Sequence, residues 1–444
     1  MLSKLANIKR KVTPGTRQII GNGLWLTADK VLRMLVGLLI GIWVARYLGV
    51  EQFGLLNYTI AFAAFFTPIA ALGLDSIVIR EIVQHPTRKN SLLGSAFCLK
   101  LSGGLIGTLL ATISIYFFRS DTLSRSLVPI LTAGFAFQSF EVIDLWFQSQ
   151  VQAKNTVLAR NTAFAITTVL KVICLQLHAP LEVFAYLYLT EVILSVLGLV
   201  VVYKIQNQRF GLWKIDAKLM RQLLKDSSPL IFSGIAILIY MKIDQIMIGQ
   251  MLGDRAVGVY SAALRVSEVW YFIPVAVASS VSPAIIKARQ VEPKQYYQKI
   301  QTVFDGMVLI SYSISIAMSF LAEPIILRLY GSDYSEAIPI LVTHIWASVF
   351  VFLGVARSIW LTAENLVIFS LKTTVIGAIV NVGLNMILIP KYAGLGAAIA
   401  TVVAYLFAVL LSCAFYPRLR SIGKLMLNAL TLVWVFKAMK SISR

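Results

Sequence analysis

The sequence predicts an all-α, polytopic membrane protein of about twelve spanning helices arranged as two six-helix lobes. Three observations carry that prediction. Of 444 residues, 58% are hydrophobic and 14% are charged, well below the roughly one-quarter charged fraction of ordinary soluble domains. Apolar runs of twenty or more residues recur along the whole chain, each long enough to cross about 30 Å of hydrocarbon. A short pattern also repeats: Leu48-Gly49 with Gly54 returns as Leu252-Gly253 with Gly258, 204 residues on.

Spans are expected at about 18–46, 54–79, 91–118, 125–147, 157–177, 181–203, 228–252, 256–285, 301–327, 337–361, 366–389 and 393–416. Irregular backbone cannot face lipid, because each unpaired amide there costs several kcal/mol, so runs of this length read as helices. The ten-residue alternation of a membrane β-barrel is not present in the sequence. Each copy of the glycine repeat ends one outward helix and opens the next, and each following helix carries a proline, Pro68 or Pro274. Repetition after an even number of helices implies parallel repeats about an axis along the membrane normal.

The longest connection, about Lys204 to Asp226, is polar and falls halfway. The partition is therefore 1–17, an amphipathic N-terminus; 18–205, the first lobe; 206–226, a linker; 227–417, the second lobe; and 418–444, an interfacial tail. The stretch Lys424 to Lys440 has too few apolar residues to cross and cations at either end, which favours a helix lying on the membrane surface.

Cations set the orientation, since Lys and Arg accumulate in short cytoplasmic connections. The N-terminus, the second, fourth, sixth and eighth connections and the tail together carry about 26 Lys and Arg, whereas the opposite side carries six: Arg46, Arg119, Arg125, Arg255, Arg328 and Lys391. Both termini are expected in the cytoplasm, and the chain in a bacterial inner membrane. One inside connection, at Glu364-Asn365, has no cation of its own. The net charge of +20 is spread over these connections rather than gathered on a basic domain, so lipid headgroups rather than nucleic acid are the expected anionic neighbours. Cys98, Cys174 and Cys413 lie inside apolar runs without paired spacing, which indicates neither a disulfide framework nor a metal site. The first apolar stretch carries Asp29, Lys30 and Arg33 and has no small-residue cleavage site, so it reads as a retained helix rather than a signal peptide.

Eight cations fall inside spans: Lys30, Arg33, Lys100, Lys171, Lys242, Arg265, Arg357 and Lys372. One such charge at a helix centre costs about 2.5–3.5 kcal/mol on insertion scales, so it marks water, a partner or a substrate. Arg33, Lys242 and Arg265 lie near mid-depth on the first, seventh and eighth helices, where a hydrated cleft between the halves would collect them. Arg33, Lys30, Lys242 and Arg265 are the expected anion-binding residues. The spacing of Asp29 with Arg33 and of Arg265 with Glu268 lets each pair share a helical face. The alternative is simple neutralisation, since Asp29, Asp75, Glu141, Asp144, Glu191, Asp244, Glu268 and Asp305 balance the buried cations in number. Asp29, Asp244 and Glu268 are the candidates for proton or sodium coupling. Glu141, Asp144, Trp146 and Phe147, flanked by Gln138, Gln148 and Gln150, fit either a sugar platform or an interfacial aromatic belt. His344 reads as a packed or hydrogen-bonded residue.

The sequence has no phosphate-cradling glycine loop, no His-Glu-x-x-His helix and no Cys/His cluster. No outward connection exceeds about ten residues, whereas a membrane polymerase or ligase presents a large outward loop. A non-enzymatic transporter needing no cofactor is therefore expected.

The run Val44-Ala45-Arg46-Tyr47-Leu48-Gly49-Val50-Glu51-Gln52-Phe53-Gly54, with Ala71-Leu72-Gly73-Leu74 and Ile79-Arg80-Glu81, resembles the opening of Wzx-type polysaccharide (O-antigen) flippases of the multidrug/oligosaccharidyl-lipid/polysaccharide exporter superfamily. Trp146-Phe147-Gln148 to Ala159-Arg160, and Asp244 to Tyr260, are similar to later blocks of that family. The resemblance implies a V-shaped pair of six-helix lobes and a cavity lined by the first, second, seventh and eighth helices. It also implies an undecaprenyl-diphosphate-linked oligosaccharide as substrate, with polysaccharide polymerase and glycosyltransferases as working neighbours. Relatives with two added C-terminal helices exist and this chain stops short of them, so a lipid II flippase is the less expected member. A drug/cation antiporter, the rival transporter, would prefer excess acid in its cleft and tolerate loss of Arg33 or Arg265.

Overall fold

The structure, a computed structural model, describes residues 14–291 and 293–432; the side chains of 14–31, 153 and 290–294 lie outside the description. Ten helical stretches among the described residues are long and apolar enough to cross a membrane. Two of them, Leu32–Gln84 with 53 residues and Val367–Phe415 with 49, are about twice the length of a span. The first is divided at Gly49 (φ 73°, ψ 171°) and the second at Ala393 (φ 51°, ψ −135°). Counted in halves, they give the expected twelve.

The first half contains α1 (Pro14–Ala64, bent at Gly49), α2 (Thr67–Ala71), α3 (Asp75–Gln84), α4 (Lys89–Phe118), α5 (Thr122–Phe137), α6 (Val142–Ser149), α7 (Ala153–Gln176) and α8 (Leu181–Ile205). The second contains α9 (Ala217–Leu252), α10 (Asp254–Glu268), α11 (Phe272–Val291), α12 (Pro293–Leu329), α13 (Ala337–His344), α14 (Ala347–Ala363), α15 (Val367–Leu406, broken at Ala393), α16 (Ser412–Phe415) and α17 (Arg420–Leu430).

The repeat is structural as well as sequential. The second crossing breaks after Ala64 and resumes at Thr67, while the eighth ends its α-helix at Glu268 and passes through a 3₁₀ turn, Val269–Tyr271. Ala64 and Glu268 are 204 residues apart, the repeat offset. The cause is Pro68 and Pro274, each of which lacks the amide that would bond four residues back.

The chain packs as two compact units, Met1–Ile40 with Phe62–Gly234, and Gly41–Ala61 with Ile235–Arg444. The first is built on Leu74, Val78, Leu92, Val142, Phe147 and Tyr203, the second on Phe304, Val308, Phe352, Trp360, Cys413 and Met426. Connectivity assigns residues 41–61 to the first six helices, but they pack within the second unit. The reason is a reciprocal glycine contact. A Cβ on Gly54 would fall on the Asp254 carbonyl oxygen, and one on Gly258 would fall on that of Val50. Since 50 and 254 are repeat equivalents, as are 54 and 258, the two copies meet backbone to backbone, which only glycine allows.

Connections pair as the charge pattern requires. In the first unit Lys89 donates to Gln208, and the Lys214 amide donates to the Asn90 carbonyl at 3.1 Å, so the second and sixth connections share a side. In the second unit Arg289 grips Glu364 with two bonds of 3.0 Å, and Tyr296 adds one of 2.9 Å. Glu364 lies in the connection without its own cation, and Arg289 of the eighth connection supplies one. Opposite, Arg255 lies 3.6 Å from Glu336 and Arg46 reaches the Arg328 carbonyl at 3.5 Å.

The linker is not a free bridge. The Trp213 indole donates to the Tyr203 hydroxyl at 3.0 Å, and helix α9 already begins at Ala217 because Leu219 and Leu223 bury in the first core. In the tail, α17 buries Ile422, Met426 and Ala429 against the second core. Residues 433–444, including the second half of the expected surface helix, and residues 1–13 lie outside the described residues.

Candidate functional site

The second unit holds two polar constellations. The first is centred on Arg265. Helix α10 starts at Gly253 (φ 87°) and sends Gly258, Ser261 and Arg265 along one stripe, as helical spacing dictates. Arg265 donates from Nη2 to Asn57 Oδ1 at 3.2 Å, and its guanidinium carbon sits 4.9 Å from the Phe53 ring centroid. The absence of a side chain at Gly41 makes room, since a Cβ there would meet the guanidinium. Asn57 is held in turn by its own amide, which donates to the Phe53 carbonyl at 2.6 Å. The predicted partner of Arg265, Glu268, acts on it electrostatically but lies 3.9 Å from Lys242 on α9, with both side chains about 30% exposed. The shared helical face is thus split: the Phe53 ring and Asn57 draw the arginine to the 41–61 hairpin, while α9 presents Lys242 to the glutamate.

The second constellation surrounds Asp244, which is 3% exposed. Its carboxylate accepts from Tyr260 at 2.8 Å, Asn385 at 2.6 Å and Thr401 at 2.6 Å. It has no Lys or Arg partner among the described residues. Asn385 and Thr401 lie eight residues either side of Ala393, so the break in α15 brings both to one acid. Asn385 also donates to Asn381 at 3.0 Å, while Asn381 Nδ2 and Asn385 Oδ1 have no hydrogen-bond partner among the described residues. An amide oxygen, a hydroxyl and a carboxylate so gathered form an oxygen-rich set of the kind hard cations prefer. His344 is buried nearby, bonded to Ser267 at 2.9 Å and edge-on to Tyr260, the packed role expected for it.

The first unit carries a ladder on α7. Arg160, Phe164, Thr167 and Lys171 occupy one helical stripe. Arg160 bonds Asp144 at 2.7 Å and approaches Glu141 at 3.6 Å; Lys171 meets Glu191 at 3.0 Å, with Thr167 adding a bond of 3.2 Å. Arg33 places its guanidinium 5.2 Å from the Phe164 centroid. The side chains of Asp29 and Lys30 lie outside the described residues. Lys100 pairs with Asp75 at 2.6 Å, so Lys100 and Lys171 follow the neutralisation alternative.

Arg357 is buried and donates to the carbonyls of Ala408 and Val409, at 3.1 and 2.8 Å, and to Thr373 at 3.0 Å. Those carbonyls belong to a π-helical turn, Phe407–Leu411, so this arginine holds backbone. Lys372 is exposed and lies over the Phe369 ring. Trp146 and Phe147 form neither a sugar platform nor a belt: they are buried at 7% and 0%, with Trp146 between Tyr203 and the Lys89 ammonium. Sequence reasoning missed Asn57, Tyr260, Asn381, Asn385 and Thr401. The signal for two of them was available, because asparagines four apart inside an apolar span share a face and need partners.

A family model described as polysaccharide biosynthesis protein matches residues 19–285, more than half of the chain. The chain belongs to that family. A second family model, MatE, matches residues 229–387. Among curated proteins, the "probable low-salt glycan biosynthesis flippase Agl15" of Haloferax volcanii is 29% identical over 211 residues, which is 44% of this chain and 43% of that protein. The match thus spans less than half the relative's length. Among solved structures, the lipid II flippase MurJ in an inward closed conformation superposes with a TM-score of 0.70 at 19% identity, covering 93% of this chain and 92% of that one. An inward-facing multidrug resistance MATE transporter gives 0.69 at 18%, covering 88% and 96%. The family member described here therefore has the fold shared by the multidrug/oligosaccharidyl-lipid/polysaccharide superfamily, and it is a multi-pass membrane protein.

Proposed function

We propose that this chain is a flippase that moves an undecaprenyl-diphosphate-linked oligosaccharide from the cytoplasmic to the outer leaflet of a bacterial inner membrane, with both termini cytoplasmic and a Wzx-type role in polysaccharide assembly. The observation that carries the reading is Arg265, a guanidinium inside a span whose direct contacts are a neutral amide and an aromatic face, with Glu268 acting on it electrostatically but lying 3.9 Å from Lys242. Such a charge retains its capacity to pair with phosphate, which the arginine fork matches bidentately. Arg33, set over Phe164, and Lys242 extend the cationic set. A sugar's hydroxyls and a diphosphate cannot cross hydrocarbon without replacement partners, and cationic side chains are such partners for the diphosphate. The likeness to Agl15, a probable glycan biosynthesis flippase, and to MurJ, a lipid II flippase, supports the same class of cargo.

In this reading the cycle presents Arg33, Lys242 and Arg265 alternately to the two faces of the membrane. An inside-negative potential favours outward movement of an anionic headgroup by about 2.3 kcal/mol per charge per 100 mV. Of the two described acids expected for proton or sodium coupling, Asp244 is favoured, because its three partners are neutral donors, whereas Glu268 lies beside Lys242. The decisive measurement is flipping of a fluorescent undecaprenyl-diphosphate-linked oligosaccharide by purified protein in liposomes. Arg33→Ala, Lys242→Ala and Arg265→Ala are each expected to lower the rate at least tenfold. No flipping by the unaltered protein would overturn the proposal and favour a drug/cation antiporter, whereas full activity in all three variants would remove these cations from the site.

A further inference from the structure

Arg265 does two things at once. It is the proposed phosphate ligand, and it also ties helix α10 to the hairpin formed by residues 41–61. The hairpin's other ties include an edge-on contact of Phe53 with Tyr334, ring centroids 6.2 Å apart. Tyr334 donates to the Ala45 carbonyl at 2.8 Å, Gln250 donates to the Tyr58 hydroxyl at 2.6 Å, and Arg46 reaches the Arg328 carbonyl. The glycine contact between the repeat copies is backbone against backbone, while Phe53 and Tyr58 of the hairpin are fully buried. The Asn57 amide is oriented by its bond to the Phe53 carbonyl, which turns Oδ1 toward Arg265. Phe53 covers one face of the same guanidinium.

We propose that Asn57 and Phe53 form a latch on Arg265, and that the diphosphate of the substrate and Asn57 compete for the same guanidinium, so that loading the substrate releases the hairpin. The inference rests on the phosphate-binding role given to Arg265 above. The physical basis is a difference in bond strength. A hydrogen bond between two ions is roughly twice as strong as one between neutral groups, and at this depth little water screens it. A ligand shifts a conformational equilibrium only through differential affinity for the two states. Here the difference is built in, because Arg265 is occupied by Asn57 in the latched state and free for phosphate in the other. Asn57 and Phe53 are positioning residues, acting on the substrate only through Arg265.

The test uses the full chain in lipid nanodiscs, with Cys98, Cys174 and Cys413 replaced by Ser and spin labels at Glu51→Cys and Arg255→Cys, two exposed positions flanking the glycine contact. The distance distribution is read with undecaprenyl diphosphate, with uncharged undecaprenol and with neither, while native mass spectrometry reports lipid binding. With the latch residues intact, the labels should give a single short distance without lipid. Undecaprenyl diphosphate should raise the ratio of long to short distances at least threefold, and undecaprenol should not. Asn57→Ala should raise that ratio about tenfold without any lipid, given the usual worth of a hydrogen bond to a charged group. Asn57→Asp should act in the opposite direction, keeping the short distance and demanding more diphosphate, a reversal of sign that a merely structural role does not produce. Undecaprenyl diphosphate that binds without moving the labels, or Asn57→Ala and Asn57→Asp shifting the same way, overturns the latch alone. Undecaprenyl diphosphate that does not bind at all overturns the functional reading and the latch with it.

Discussion

At the scale of single residues, the buried charges of this protein sort by their partners. Lys100 and Lys171 neutralise acids, Arg357 serves backbone carbonyls, and Arg265 is held by an amide and a ring. Each class predicts a different response to substitution. Arg357→Leu removes donors from the π-helical turn, and buried acceptors left unsatisfied cost about 1–3 kcal/mol. Its thermal midpoint in detergent should fall by several degrees while diphosphate binding persists in the protein that remains folded. Asp244→Asn keeps the shape of its cluster but removes the negative charge. If Asp244 is the coupling acid, flipping in liposomes should lose its dependence on a sodium or proton gradient, with undecaprenyl diphosphate binding kept within about twofold; gradient dependence unchanged from wild type would remove Asp244 from the mechanism. The neutralised lysines were legible in sequence only as a balance of numbers, because which acid meets which base is set by how helices far apart in the chain are rotated.

At the scale of elements, breaks matter as much as helices. Gly49 divides α1 with φ 73° and ψ 171°, a region closed to residues with a Cβ. Gly49→Ala should cost about 1–3 kcal/mol, visible as a lowered melting temperature. Ala393 breaks α15 at φ 51°, which alanine adopts only at a cost. Ala393→Gly is therefore expected to stabilise the protein by up to about 1 kcal/mol, and a lowered melting temperature would count against strain at that position. The glycine repeat and the proline in each following helix were readable as a pattern, and proline's missing amide accounts for the break found near each. That Asn385 and Thr401 converge on Asp244 was not readable, since it depends on the hand and angle of the break at Ala393.

At the scale of the whole molecule, the charge pattern and the bonds between connections agree on which connections share a side. The Arg289 to Glu364 pair is the sharpest instance, because it joins a cation-rich connection to the one without a cation. In whole cells or sealed vesicles, a cysteine at Glu364 should be blocked by a membrane-impermeant thiol reagent from the same side as one at Lys287. A cysteine at Tyr392 should react from the opposite side only. Labelling of 364 and 392 from one side would contradict the count of twelve crossings.

Sequence by itself determined the all-helical membrane fold, the near-even series of spans and the repeat that relates the halves. Those properties follow from hydrocarbon thickness, from the need to pair every backbone amide and from proline and glycine geometry, all of which act locally along the chain. Tertiary structure alone decided that residues 41–61 pack with the second unit, that Trp146 and Phe147 are core, and that Arg265 answers to Asn57 instead of Glu268. A helix offers several side-chain neighbours along its own length, but which of them prevails depends on the surfaces brought against it, and those are set only when distant helices pack.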